Sequence, residues 1–204
     1  MESERLKIFD EQYNVIGIAS REDVHKWGYW HETFHCWFVD AQYIYLQKRS
    51  GSKKDYPNLL DITAAGHLLA EEEIKDGIRE VREELGIDVS FDQLMPLGVL
   101  SYSVRHEQLI DNEFANVFFY MFDGDLDSFQ LQHDEVAGIV RINNKDFIEL
   151  WRGEREEVII QGFEMKDNGV KQQIHEIVGR DIFVSHDDAY YLAVIKGLED
   201  RIVD

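Results

Sequence analysis

One cysteine, Cys36, stands in a chain of 204 residues. A disulfide framework is thereby excluded, and this usage fits a reducing compartment. Prolines number 2, so there is little punctuation of the kind that separates domains. Long apolar runs are missing as well. Runs such as Val117–Phe122 and Tyr190–Ile195 fall far short of the ~20 residues a spanning helix needs. The start, Met1-Glu2-Ser3-Glu4-Arg5, is charged and has no apolar h-region. No signal peptide is expected, and a cytoplasmic location is. Basic residues are scarce: 21 Lys plus Arg face 41 Asp plus Glu, a formal charge of -20. A chain that acidic repels phosphate backbones, which argues against general nucleic-acid binding. A small phosphorylated ligand needs a local basic cluster or a cation to bind here.

What is present reads as globular. Apolar residues make up 44% and charged residues 30%, enough for a packed core in one domain over 1–204. Leu6–Asp10 and Val15–Ala19 flank a polar tetrad and predict an N-terminal hairpin. Thr33–Val39 and Tyr43–Lys48 are the next strand pair. In the first of these, His31, Thr33, His35 and Trp37 alternate with Phe34, Cys36 and Phe38, which sends the two sets to opposite faces. Leu60–Ala65 is a short apolar segment leading into Gly66. The spacing then predicts a helix over Glu72–Leu85, stopped by Gly86. Strands follow at Leu97–Val104, Ala115–Phe122 and Val136–Ile142, and a short helix at Asn144–Trp151. Val158–Glu164, the turn Asp167-Asn168-Gly169 and Val170–Ile177 predict a second hairpin. A closing helix runs over Asp187–Ile202, with Ser185 or Asp187 as its cap. The order is not a regular βα repeat, so the expected architecture is α/β, a mixed sheet covered by helices.

The helix over Glu72–Leu85 carries the chemistry. At 100° per residue, Ile74, Ile78, Val81 and Leu85 form one apolar stripe. Asp76, Glu80, Glu83 and Glu84 gather on one flank, and Lys75, Arg79 and Arg82 on the other. Each like-charged i,i+4 pair costs roughly 0.2–0.5 kcal/mol on an isolated helix, and the repulsion grows as water is excluded. A hard divalent cation removes that repulsion, because it takes oxygen ligands. The other account of the pattern is a solvated acidic face.

Arg79-Glu80-Val81-Arg82-Glu83-Glu84-Leu85-Gly86-Ile87 resembles the second half of the Nudix box, REUxEExGU, without exception, where U is a bulky aliphatic residue. Gly66 and an upstream glutamate resemble the first half, with one residue of mismatch: counting back from Arg79 gives Ala65 and Glu71, and counting forward from Gly66 gives Glu72. Beyond the box, Phe9-Asp10-Glu11-Gln12, Gly17, the Ser20–His25 segment, Gly28, His31 and Leu46–Ser50 resemble the Nudix subgroup related to isopentenyl diphosphate isomerase. The resemblance covers about residues 6–142. It implies an α/β/α sandwich with a mixed sheet, the core at 31–153, an N-terminal hairpin region at 6–30, and a hairpin and helix extension at 154–204.

The resemblance also implies a pyrophosphohydrolase that uses Mg2+ or Mn2+ to cleave a diphosphate linkage in a nucleoside diphosphate derivative or related organic pyrophosphate. Metal ligands would be Glu80, Glu83, Glu84 and the carbonyl of Gly66, with Arg79 orienting acidic residues and Glu71 or Glu72 supporting the motif. The proton acceptor would be Glu83, Glu84 or, on a later loop, Glu135; a plain strand-edge charge is the other account of Glu135. Lys48, Arg49, Lys53 and Lys54 form the one compact basic cluster. Lys48, Arg49 and Lys54 are candidates for substrate phosphates, or the cluster is an ordinary solvated loop. Trp27, Trp30 and Trp37 are core aromatics or a stacking surface. A zinc site from His31, His35 and Cys36 is disfavoured, since His35 and Cys36 point to opposite faces. Two other functions compete. Isomerases of isopentenyl diphosphate use a cysteine just before the box, where Leu60–His67 has none. A non-catalytic nucleotide-binding module would have no need of three box glutamates. The extensions are expected to form a substrate lid or a homodimer contact.

Overall fold

A computed structural model describes residues 4–106, 109–166 and 169–202. The N-terminal hairpin pairs β1 (Arg5–Phe9) with β2 (Val15–Ser20). The Asp10 carboxylate shapes the turn by accepting from the Asn14 N–H at 2.8 Å. A short helix, α1 (Arg21–Trp27), follows where no helix was expected. Ser20 caps it by accepting from the Asp23 N–H at 3.1 Å. Gly28 ends it with φ 67, a left-handed conformation that costs glycine least.

The central strand is β3 (Trp30–Val39). It runs parallel to β8 (Leu109–Met121), from Trp30 beside Asn112 to Val39 beside Met121. It also runs antiparallel to β6 (Ala64–His67). The expected pairing of β3 with β4 (Tyr43–Arg49) shrinks to Val39 beside Ile44. Beyond that point β4 pairs instead with β5 (Leu60–Ile62) and β9 (Val136–Asn143). The sheet order is β11-β10-β9-β4-β3-β1-β2, with β7 (Met95–His106) joined through β8. Strands β10 (Val158–Met165) and β11 (Lys171–Val178) form the second expected hairpin and continue the same sheet. Asp167 and Asn168 of its turn lie outside the described residues.

Both faces of β3 are buried. Trp37 packs in one core with residues of α3 (Asn144–Arg152) and α4 (Asp188–Ile202), among them Phe147, Tyr191 and Val194. Phe34, Cys36 and Phe38 pack in a second core with Val81 and Leu85 of α2 (Arg79–Leu85). Helices therefore cover both sides of a mixed sheet, the α/β/α sandwich. Each fully buried large apolar side chain stabilises the fold by roughly 1.5–3 kcal/mol, so the period-two pattern of β3 supplies both layers at once. The Asp187 carboxylate, rather than Ser185, caps α4, accepting from the Ala189 N–H at 2.7 Å. Among the described residues no helix is long and apolar enough to cross a membrane.

The acidic helix begins later than its periodicity suggests. Residues Ile74–Ile78 form a 3-10 turn, and α2 proper starts at Arg79. Asp76 turns back to accept from the Glu73 N–H at 2.9 Å, so it caps the turn and does not join the carboxylates of α2. Gly77 lies so close to Phe34 that a Cβ would stand 2.6 Å from the Phe34 Cβ. Gly86, at φ 67, ends α2 as expected.

Candidate active site

A polar cleft of about 260 Å³ opens where α2, β4, β6, β8 and the segment 184–186 converge. One end is built on α2. Arg79 is clasped by Glu72, with Nε at 2.6 Å from Oε1 and Nη2 at 3.2 Å from Oε2. The same guanidinium reaches Glu80 at 2.7 Å, Glu83 at 3.3 Å and the His67 carbonyl at 3.1 Å. It is thus a hub among the carboxylates and not a charge on the opposite flank. Glu72 also accepts from the Leu69 N–H at 2.8 Å, which fixes the loop before α2.

Glu80 and Glu84 face the cleft from successive turns. Burial pushes the Glu80 carboxyl up to about 7, against the pull of Arg79. Glu84 is buried and has no ion-pair partner among the described residues. Its Oε2 takes two long contacts, from Gln47 Nε2 and the Ala65 N–H, both 3.3 Å. Burial, and then the charge of Glu80, hold its carboxyl well above the ordinary range. Gly66 makes room above Glu80: a Cβ there would stand 2.1 Å from Oε1. A buried Glu84 with no cation against it, beside a half-buried Glu80 over which Gly66 leaves space, fits a hard divalent cation.

The other end is rich in nitrogen. The parallel register of β3 and β8 sets His31 beside Glu113. His25 from α1 and His67 from β6 join His31, with their ligand nitrogens within 4.8 Å of one another. His31, Asp111 and Glu113 form an overlapping group on the same measure. His25 Nε2 lies 3.4 Å from His67 Nε2 and 3.5 Å from Asp111 Oδ1. His31 Nε2 and Asp111 Oδ1 are buried without a hydrogen-bond partner. Burial pushes His31 down to about 4 and His67 well below its usual value, and lowers His25 too. All three imidazoles are therefore neutral near pH 7, with lone pairs to offer. Glu113 is held in place by Thr33 Oγ1 at 2.8 Å, Tyr102 Oη at 2.6 Å and His35 Nε2 at 3.2 Å. Three neutral imidazoles and two acidic side chains, with an orphaned nitrogen of His31 3.6 Å from an orphaned oxygen of Asp111, fit a borderline transition ion such as Zn2+ or Mn2+.

Comparison with known proteins bears on the family and the fold. The NUDIX domain model matches residues 29–162. An uncharacterized Nudix hydrolase of Clostridium acetobutylicum is 37% identical over 204 residues, covering 98% of this chain and 99% of the relative. The chain belongs to the Nudix family. Isopentenyl-diphosphate Delta-isomerase 1 of Aromatoleum aromaticum is 33% identical over 120 residues, 58% of this chain and 67% of that one. A crystal structure from Deinococcus radiodurans shares the fold, with a TM-score of 0.54 at 23% identity, over 71% of this chain and 86% of the other.

The Nudix motif residues fall into place unevenly. Gly66, Arg79, Glu80, Glu83, Glu84 and Glu135 all line the cleft. Glu72, and not Glu71, holds Arg79; Glu71 is exposed. This contact follows the spacing counted forward from Gly66, which reaches Glu72. Glu135 is paired with Lys53. Of the basic cluster, Arg49 and Lys53 line the cleft, Lys48 pairs with Glu164 at 3.1 Å, and Lys54 is exposed outside it. Trp37 is core, while Trp27 is exposed. The histidine end was not anticipated as a unit. Its signals in the sequence were faint: His67 follows the box glycine, and His25 and His31 flank Gly28.

Proposed function

We propose that this Nudix protein is a metal-dependent hydrolase of a diphosphate linkage in a small organic pyrophosphate. The observation that supports this reading is Glu84, buried and without an ion-pair partner among the described residues, beside Glu80 in a cleft that also holds Arg49 and Lys53. A divalent cation at Glu80, Glu83, Glu84 and the Gly66 carbonyl would supply positive charge against phosphoryl oxygens and acidify water. The chain's own residues do the rest. Arg79 keeps the carboxylates aimed. Arg49 and Lys53, paired with Asp61 and Glu135, bring positive charge to the cleft wall of a chain of charge -20. Glu135, on the loop before β9, would take the proton of an attacking water. The nitrogen-rich end, His25, His31, His67, Asp111 and Glu113, is proposed as a second metal centre in the same cleft.

A second reading, isomerisation of an isoprenoid diphosphate, is favoured by the isomerase relative. Against it stands the lone thiol. Cys36 is fully buried in the second core, and burial raises its pKa, while position 65, before Gly66, is alanine. A panel of nucleoside diphosphate derivatives and isoprenoid diphosphates with Mg2+ separates the two. Release of phosphate or a monophosphate, abolished in a folded E84Q variant, supports hydrolysis. Double-bond migration seen by proton NMR, retained in C36A, would replace it with isomerisation by other residues.

A further inference from the structure

The segment that leads into α4 brings a histidine into the cleft for which the reading above has no use. Phe183 bridges to Leu60, and the Val184 N–H donates to the Leu60 carbonyl at 2.8 Å. Both side chains are buried, and the Tyr191 hydroxyl donates to the Val184 carbonyl at 2.8 Å. Backbone and apolar contacts thus fasten the segment without help from the side chain of His186. Its imidazole nevertheless engages a buried carboxylate, a costly group to keep inside a protein. His186 Nε2 lies 3.0 Å from Asp61 Oδ1. The same oxygen accepts from the Ile62 N–H at 2.8 Å, and the other takes Arg49 Nη1 at 2.8 Å. Burial acts to raise the Asp61 carboxyl, but His186 and Arg49 outweigh it and hold it low. An ionised carboxylate only accepts, so Nε2 carries a hydrogen and the exchangeable site is Nδ1. Among the described residues no hydrogen bond engages Nδ1. The rings of Tyr190, Tyr102, Tyr191 and His35 surround the imidazole at 5.1, 5.6, 5.7 and 6.1 Å. His186 lines the cleft that Glu80 and Glu84 line.

The geometry points to His186 as the residue that gives a proton to the leaving group, with Asp61 as its positioning residue. This inference rests on the hydrolase reading. Water attacks one phosphorus of the diphosphate, forms a new P–O bond and yields a proton to a cleft carboxylate. The bond from that phosphorus to the bridging oxygen breaks, and its electron pair stays on that oxygen. Protonated His186 passes its Nδ1 proton to the oxygen and becomes neutral, with Nε2–H still on Asp61. The carboxylate releases its proton to solvent, and the imidazole regains one from water, as products leave.

H186Q is the diagnostic variant, because glutamine Nε2 can keep the bond to Asp61 while the acid is lost. Wild type and H186Q are assayed with Mg2+ on ADP-ribose and geranyl diphosphate, with E84Q as the control for the hydrolase reading. The expected result is a kcat lower by about 10²–10³-fold, KM nearly unchanged, an unchanged melting midpoint and loss of the basic limb of the kcat–pH profile. Wild-type kcat and profile in H186Q overturn the inference. Separately, 15N-histidine-labelled wild type is titrated with methylenediphosphonate and Mg2+. The His186 Nδ1 resonance is expected to shift while Nε2 stays protonated; no shift overturns the inference whether or not turnover is seen. A shift in a wild type that hydrolyses nothing removes the hydrolase reading and the proton step with it, and leaves His186 as a phosphate contact.

Discussion

A Cβ on Gly66 would stand 2.1 Å from Oε1 of Glu80 and 2.3 Å from its Cδ. The closeness of strand β6 to the acidic helix is therefore set by one missing carbon. G66A must push Glu80 aside or spread β6 from α2. Overpacking of this kind costs about 1–3 kcal/mol, and displacement of a carboxylate proposed as a metal ligand is expected to weaken affinity roughly 10–100-fold. Calorimetric titration with Mn2+ and a thermal melt of G66A would show both losses. Unchanged Mn2+ affinity would place the cation elsewhere.

Arg79 meets Glu72, Glu80 and the His67 carbonyl with one planar group. Lysine keeps the charge but not the fork. R79K is expected to lower kcat/KM roughly 10–100-fold, with a stability change of about 1 kcal/mol or less. Steady-state kinetics beside urea unfolding would separate the two effects.

The orphaned His31 Nε2 and Asp111 Oδ1 predict avid uptake of a transition ion. Cobalt(II) is expected to give visible d–d absorption and to raise the melting midpoint; at a hundredfold excess over Kd the gain is about 2.7 kcal/mol. H31Q should lose both signals, while E84Q should keep them. Equal spectra for wild type and H31Q would dismiss the nitrogen-rich centre.

Asp61 ties stability to pH. Its folded pKa lies below the unfolded value near 3.8, so its contribution is complete above about pH 4 and drains away as pH falls through the folded value. D61N leaves Arg49 without its buried counter-charge, at a cost of about 3 kcal/mol. Urea unfolding should show that gap at pH 7 and a narrower one at pH 3. A gap that stays constant or widens in acid would contradict this.

The acidic helix was legible because its information is local. Glu80, Glu83 and Glu84 fall within about one turn, and the glycine that ends the helix is the next residue but one after Glu84. The sandwich was legible for a similar reason, since the alternation in β3 sorts Trp37 from Cys36 without reference to distant residues. The start of α2 was not, because helical periodicity ignores the Glu73–Asp76 cap and the pressure of Phe34 on Gly77. Helix α1 escaped notice although Ser20 and Gly28 bracket it as cap and stop. The histidine end was illegible for a deeper reason. Its members come from α1, β3, β6 and β8, and the parallel register that sets His31 beside Glu113 is a tertiary fact. The same holds for His186 and Asp61, which are 125 residues apart in the chain.

Strand β6 is four residues long, and three neighbours in it serve different masters. The Ala65 amide touches Glu84, Gly66 shelters Glu80, and His67 turns its ring to the imidazole cluster. A rigid ribbon so short cannot tilt at one end alone. Whatever loads the oxygen-rich side will be felt on the nitrogen-rich side, and thermodynamic linkage makes the influence mutual.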